Sequence, residues 1–202
     1  MSRLDAVFSA FPALRTERLV MRRIKETDAA DVFAFYADPL VTRYLDWHGP
    51  STIDETQALI GSWRQAFAER RLLAWGIGLR PEGEEGGFGA SAAPPVIGTV
   101  MLMPARGTFD DIPRFPLTLG YDLHPSCWNR GLMYEALQAA LAFSRTHIRP
   151  HRIQAEVREG NAASLRLLQK LGFEQEGVLR QYAMHEATQE YLDMVMMALL
   201  TK

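Results

Sequence analysis

Residues 117–135 read LTLGYDLHPSCWNRGLMYE and change character twice. The opening alternates, so Leu117, Leu119, Tyr121 and Leu123 share one face of a strand while Asp122 points to the other. Gly120 interrupts it, and a glycine inside a strand often marks a bulge or the close approach of a backbone or ligand. Pro125 ends the strand. Leu132, Leu137, Ala140, Leu141 and Phe143 then recur at helical spacing and predict a long amphipathic helix over Asn129 to His147, with Arg145 and His147 near its negative end. A strand that turns into a helix here leaves unpaired N–H groups at the helix start, which can hold a diphosphate. Gly131 lets backbone approach an oxygen closely, and Arg130 offers a charge-assisted bond. A single glycine is a weaker phosphate signal than a Gly-x-Gly-x-x-Gly or Walker loop, and neither is present.

Working outward, Arg18 to Ile24 alternates as a half-buried strand with Leu19, Met21 and Arg23 on one face. A helix follows, capped by Thr27 or Asp28 and carrying Val32, Phe33, Phe35 and Tyr36 until Asp38-Pro39 stops it. Thr52 to Arg70 predicts a second helix, started by Ser51 or Thr52 with Glu55, with Leu59, Ile60, Trp63 and Phe67 at helical spacing. Leu73–Leu79 and Val96–Met103 read as strands, and the Gly/Ala/Glu/Pro-rich stretch 80–95 between them as a flexible loop insertion. Downstream, Arg152–Arg158 predicts a strand and Asn161–Leu171 a helix closed by Gly172; Gln181–Met184 with Glu190–Leu200 predicts a terminal hairpin. The order β-α-α-β-β-β-α-β-α-β-β implies a mixed α/β (α+β) fold, mostly antiparallel, with helices on both faces.

The chain has 202 residues, which suits one domain over 1–202. Lys plus Arg total 22 against 24 Asp plus Glu, so no overall positive charge favours nucleic acid. One cysteine, Cys127, excludes an internal disulfide and a Cys-based metal cage. No pair of histidines has metal-like spacing on a helix face, so no metal is expected. Asp5, Pro12 and Arg15 break up the N-terminal apolar residues before a signal or membrane-length run develops, and a cytoplasmic protein is expected.

The run from Leu119 to Leu137 resembles the acetyl-CoA motif of GNAT acetyltransferases, in the version found in ribosomal-protein-alanine acetyltransferases. Asn161-Ala-Ala-Ser-Leu-Arg-Leu-Leu-Gln-Lys-Leu-Gly-Phe173 resembles that family's second signature, and a weaker likeness runs from Leu14-Arg-Thr-Glu-Arg-Leu19 to the C-terminus. Of the superfamily's glycine pattern only Gly131 matches strictly; Trp128 and Met133 fill the flanking places, and Asn129 stands where glycine is frequent. The resemblance implies the GNAT fold, a mixed sheet of about seven strands with a central splay. It implies acetyl-CoA as co-substrate, held by Tyr121, Leu123, Trp128, Asn129, Arg130, Gly131, Leu132 and Met133. The pantetheine arm would pair with backbone at Tyr121 to Leu123, Asn161 would bond it, and Ser164 would lie near the sulfur as an acid.

Acetyl transfer needs a neutral amine. At pH 7.5, neutralising a lysine costs about 4 kcal/mol, whereas an α-amine of pKa ~7.7–8.0 costs well under about 1 kcal/mol. Asp122 occupies the position where many relatives carry a proposed base; its alternative reading is a solvated or capping carboxylate. Relatives that acetylate N-terminal serine place a glutamate near Ala183, so His185 or Glu186 would have to substitute. Tyr182 is a candidate acid or substrate wall, or an ordinary packed tyrosine. Ser164 has a competing role bonding backbone at a helix start, and Cys127 reads as a turn or core thiol. Tyr44 to His48 and Asp110-Asp111 fall in loops expected to shape the acceptor cleft. The acceptor reads as a protein or peptide α-amine, possible targets including a ribosomal protein N-terminus. A small-molecule amine and a non-catalytic CoA-binding role stay open, as does the choice between monomer and homodimer.

Overall fold

The computed structural model describes residues 3–80 and 93–201. Its elements are α1 (Arg3–Ser9), β1 (Leu14–Arg15), β2 (Leu19–Arg23), α2 (Ala29–Tyr36), α3 (Pro39–Thr42), α4 (Ile53–Ala68), β3 (Leu73–Leu79), β4 (Gly98–Pro104), β5 (Leu117–Leu123), α5 (Leu132–Phe143), β6 (Arg152–Arg158), α6 (Ala162–Lys170), β7 (Glu174–Met184) and β8 (Tyr191–Leu200). The strands form one sheet in the order β1-β2-β3-β4-β5-β6-β8-β7. All neighbours are antiparallel except β5 and β6. The sheet therefore has eight strands rather than about seven. The extra one, β1, pairs only Leu14 with Met21 and Arg15 with Val20, too short to leave a periodic signal.

Helices cover both faces. Leu132, Ala136, Leu137, Ala140 and Leu141 of α5 bury against Leu19, Met21, Trp75, Val100, Leu119 and Ile153, and Leu168 of α6 joins the same core. Val32, Phe35 and Tyr36 of α2, Val41 of α3 and Ile60 of α4 form a second core on the opposite face with Ile24 and Val96. Thr52 caps α4 as expected: its hydroxyl accepts from the Glu55 N–H at 3.1 Å, and Glu55 accepts from the Ser51 N–H at 2.7 Å.

Other expectations shift. Asp28 precedes α2 but does not cap it; its carboxylate is turned inward to the Arg22 guanidinium, at 2.7 and 2.9 Å, and to the Lys25 N–H. Burial opposes its charge, yet these bonds hold its carboxyl below the usual range. Arg22 is thus buried, while Arg23 lies over the Phe11 and Phe67 rings. Residues 129–131 form a turn and the α-helix starts only at Leu132; past Phe143 it widens into a π-helical turn, Ser144–Ile148. The final hairpin begins at Glu174, seven residues earlier than its apolar pattern begins, because β7 is an edge strand with largely exposed side chains. Helix α1 went unread, being short and burying only Val7. It docks by Phe8 against Phe67 and Phe109 and by Arg3 donating to the His147 carbonyl at 2.8 Å.

Residues 81–92 of the expected 80–95 insertion lie outside the described residues. Its ends are tied to the fold. The Arg80 N–H donates to the Arg18 carbonyl at 2.8 Å, and the Pro94 carbonyl accepts from Arg22 at 3.1 Å.

Candidate active site

Strands β5 and β6 are partners only at Leu117 with Ile153 and Thr118 with Gln154. Beyond that point each stays locked to its outer neighbour. The His124 N–H donates to the Ile97 carbonyl at 2.8 Å and the Glu159 N–H to the Asp193 carbonyl at 3.0 Å. Because main-chain direction alternates along an antiparallel pair, these bonds set the phase of each strand. Backbone groups of Leu119, Tyr121 and Leu123 on one side, and of Glu156 and Arg158 on the other, point into a gap that no strand among the described residues fills. A cavity of about 520 Å³ occupies it, lined by residues 119–123 and 155–158 and by the start of α5. Gly120 is no bulge, since it pairs in regular register with Met101. It lines the cavity, and a side chain there would take up part of that space.

The turn into α5 forms one end of this cavity. Asn129 and Gly131 both have left-handed backbone, with φ of +57° and +73°. Asparagine tolerates that conformation better than any β-branched or bulky residue, which explains its presence where relatives often carry glycine. The first N–H groups of α5 have no partner within the helix and stand at its positive end. Trp128, Asn129, Gly131, Leu132 and Met133 line the cavity; Arg130 is exposed and does not. The Arg130 carbonyl instead accepts from Arg18 at 2.9 Å. Arg18 also grips Glu135, through its Nε at 2.7 Å and its own N–H at 2.8 Å, and Thr16 donates to the same carboxylate. Burial disfavours the Glu135 charge, but these donors keep its pKa below the ordinary value. The turn is therefore braced from behind by the opening strand. Trp128 Nε1 donates to the Leu123 carbonyl at 2.7 Å, so of the expected pairing segment Leu123 has its acceptor already engaged.

Side chains divide between the two faces of the gap. Leu119, Leu123, Ile153, Ala155 and Val157 belong to the α5 core, which places Asp122 and Glu156 on the α2 face. Asp122 is neither solvated nor a cap. It is partly buried and accepts from Tyr36 at 2.9 Å and Thr99 at 3.5 Å. Burial pushes its pKa up to about 6, with both hydroxyls pulling the other way. Glu156, which the sequence reading passed over, lines the same cavity, accepts from the Tyr182 hydroxyl at 3.4 Å, and is also shifted upward by burial and by nearby Asp46. Its signal was the polar place in the alternation of 152–158.

On the α5 and α6 face, the Tyr121 hydroxyl and Ser164 Oγ are 2.6 Å apart. Burial raises the Tyr121 pKa to about 12, so at neutral pH it keeps its proton and can give it. Asn161 lines the cavity and caps α6, its Oδ1 accepting from the Ser164 N–H at 3.1 Å. Cys127 is buried in the turn.

The remaining candidates separate. Tyr182 is exposed, does not line the cavity, and meets it only through Glu156. His185 and Glu186 stay in the β7–β8 turn, where the His185 ring accepts from backbone N–H groups. Tyr44 and Leu45 do line the cavity beside Leu40 and Val41. Asp110 and Asp111 do not: Asp110 pairs with Arg70 at 2.8 Å and Asp111 accepts from the Thr108 N–H. Among the described residues no group of three His, Cys, Asp or Glu side chains is placed to hold a metal ion, and no helix is long and apolar enough to cross a membrane.

The acetyltransferase (GNAT) domain family matches residues 18–174, covering the braced turn and the parted strands. The chain belongs to this family. It is 31% identical over 178 residues to the uncharacterised N-acetyltransferase YoaA of Bacillus subtilis (strain 168), covering 88% of this chain and 92% of that one. It is 28% identical over 193 residues to the ribosomal protein uS5 alanine N-acetyltransferase of Escherichia coli (strain K12), covering 93% of this chain and 90% of that enzyme. Among solved structures, a GNAT acetyltransferase from Bacillus anthracis superposes with TM-score 0.75 at 22% identity, over 94% of this chain and 98% of that one. Mycobacterium smegmatis RimJ, solved with CoA-disulfide, does so with TM-score 0.70 at 21% identity, over 91% and 82%. The protein is an acetyl-CoA-dependent acyltransferase, and the left-handed turn and strandless gap fit that co-substrate: backbone donors for a pyrophosphate and unpaired strand edges for an amide-bearing arm.

Proposed function

We propose that this acetyltransferase acts on the α-amine of a protein or peptide in the cytoplasm, ribosomal proteins being among the candidate targets. Asp122 carries the reading: it lines the cavity, accepts from the Tyr36 hydroxyl at 2.9 Å and is raised by burial to about 6. Moving a proton to such a base costs about 2–3 kcal/mol from an α-ammonium and about 6 kcal/mol from a lysine ammonium. The apolar wall of Leu40, Val41 and Leu45 suits a small uncharged first side chain beside that amine. The relative named as a ribosomal protein alanine acetyltransferase supports the same class.

Acetyl-CoA supplies the activated acyl group and departs as a thiol. The turn at 129–133 holds the pyrophosphate, the Tyr121 main chain and Asn161 steady the arm, Asp122 takes a proton from the attacking nitrogen, and the Tyr121–Ser164 pair delivers one to sulfur. The test is release of free thiol from acetyl-CoA with a panel of N-terminal peptides and a panel of polyamines, amino acids and lysine-bearing peptides with blocked termini. Peptide α-amines are expected to react at least about tenfold better in kcat/KM. Turnover confined to the small amines overturns the reading.

A further inference from the structure

A base carried on a strand has to be aimed at its substrate by something outside that strand. We infer that Tyr36, at the end of α2, is the positioning residue for Asp122: its hydroxyl fixes one carboxylate oxygen and leaves the other for the acceptor nitrogen. This rests on Asp122 being the base and adds to it a residue from outside the cavity.

Three observations carry the assignment. The first is which oxygen is held. The Tyr36 hydroxyl donates to Asp122 Oδ2 at 2.9 Å, and Thr99 Oγ1 reaches the same atom at 3.5 Å. Among the described residues Oδ1 carries no hydrogen bond, and since Asp122 lines the cavity, Oδ1 is the oxygen left to a ligand. Tyr36 does not line the cavity, so it acts on the acceptor only through Asp122.

The second is how Tyr36 is itself held. It is 2% exposed, with its ring against Phe35 at 4.4 Å and Trp47 at 5.4 Å. Packing of that kind leaves the ring one orientation, and its buried hydroxyl needs an acceptor, which Asp122 supplies. Burial and the Asp122 charge raise the Tyr36 pKa well above the usual tyrosine value, so it stays a donor throughout the working range. The chain runs directly from Tyr36 into α3 and the wall of Leu40, Val41 and Leu45, so one continuous segment both seats the acceptor and aims the base.

The third is the charge around Asp122. No lysine, arginine or histidine among the described residues bonds it. The groups near it are Tyr36 from α2, Thr99 from β4, Tyr121 beside it on β5, and Glu156 across the gap on β6 with Asp46 beyond. Without a cation, the two hydroxyls are what opposes burial and favours the ionised form. Removing the nearer one has to raise the pKa further.

The experiment compares wild type, Tyr36→Phe and Tyr36→3-fluorotyrosine, whose phenol is more acidic and so a stronger donor. The Asp122 carboxyl is titrated by carbon-13 NMR, its signal identified by its loss in Asp122→Asn, and kcat is followed against pH with saturating α-amine peptide and acetyl-CoA. The acceptor titrates alike in all three proteins, so a displacement between their curves belongs to the enzyme. For Tyr36→Phe the carboxyl midpoint and the acidic limb of kcat should both move upward by about one pH unit, lowering kcat about tenfold below the limb and letting the curves converge above it. Tyr36→3-fluorotyrosine should move both downward, and the acetyl-CoA KM should stay within about twofold in each. A loss of kcat uniform across pH with the midpoint unmoved, or shifts in the same direction in both variants, overturns the assignment. If Tyr36→Phe fails to fold, Tyr36→3-fluorotyrosine, which keeps ring and hydroxyl, decides by the direction of its shift. A midpoint that moves beside an unmoved limb removes Asp122 as the base and this role with it, whereas a limb lost in Asp122→Asn but unmoved in both Tyr36 variants removes only this role.

Discussion

On the α5 side of the gap the working groups come from two short runs, 119–133 and 161–164, and several of them are main-chain atoms. On the α2 side they are side chains from Tyr36, Tyr44, Thr99, Asp122, Glu156 and Tyr182, gathered from six separate stretches. The first face is a local structure that tolerates changes of side chain; the second depends on the whole sheet to assemble it. Cofactor binding should therefore resist substitution while acceptor chemistry should not.

The sharpest way to break this contrast is Asp122→Asn. Loss of the base is expected to cut kcat by about 10²–10⁴-fold. The wild-type rate should fall as pH drops through about 6, where Asp122 gains its proton, and the variant should lack that limb. An unchanged pH–rate profile takes Asp122 out of the chemistry. On the opposite face, Gly131→Val forces a β-branched residue to φ +73°, costing about 1–2 kcal/mol or more, and should weaken coenzyme A about tenfold by calorimetry while leaving the acceptor KM alone.

A third measurement separates stability from activity. Asp122 has a folded pKa of about 6 against an ordinary aspartate value of 3.8, so the folded state binds its proton more tightly than the unfolded chain. That contribution is fully present below pH 4 and is lost as pH rises through 6. Asp122→Asn should therefore gain stability at pH 8, on the order of 1–3 kcal/mol, relative to its difference from wild type at pH 4. Denaturant melts at the two pH values give the answer; an equal difference at both refutes the burial argument. The smallest effect is expected from Arg18→Gln. Arg18 is largely exposed and steadies the turn only from behind, so coenzyme A affinity should drop no more than about threefold.

The same contrast explains what could be read in advance. The turn was legible because its residues lie side by side: Gly131 ahead of Leu132 and Leu137, with Asn161 and Ser164 at fixed spacing downstream. Asp122 was found, but its burial was not, since the covering hydroxyls of Tyr36 and Thr99 lie 86 and 23 residues away. Glu156 was missed because a glutamate at a polar place in an alternating strand is ordinary until the neighbouring strand departs. Arg130 shows the opposite: its position beside Gly131 fitted the motif, whereas that its side chain faces solvent outside the cavity could be seen only in the fold. Strand β7 was shortened because an exposed edge carries no burial pattern.

The two-residue parallel pairing of β5 with β6 has a mechanical consequence. Among the described residues it is the sole ladder joining the five strands on one side to the three on the other, so this seam is where the sheet is expected to yield first on heating. A coenzyme bridging it would act as a missing rung, and mass action then gives RT ln(1 + [L]/Kd) of added stability, about 2.7 kcal/mol at a hundredfold excess over Kd. Amide exchange along Leu119 to Leu123 and Ala155 to Arg158 would slow together as that rung fills.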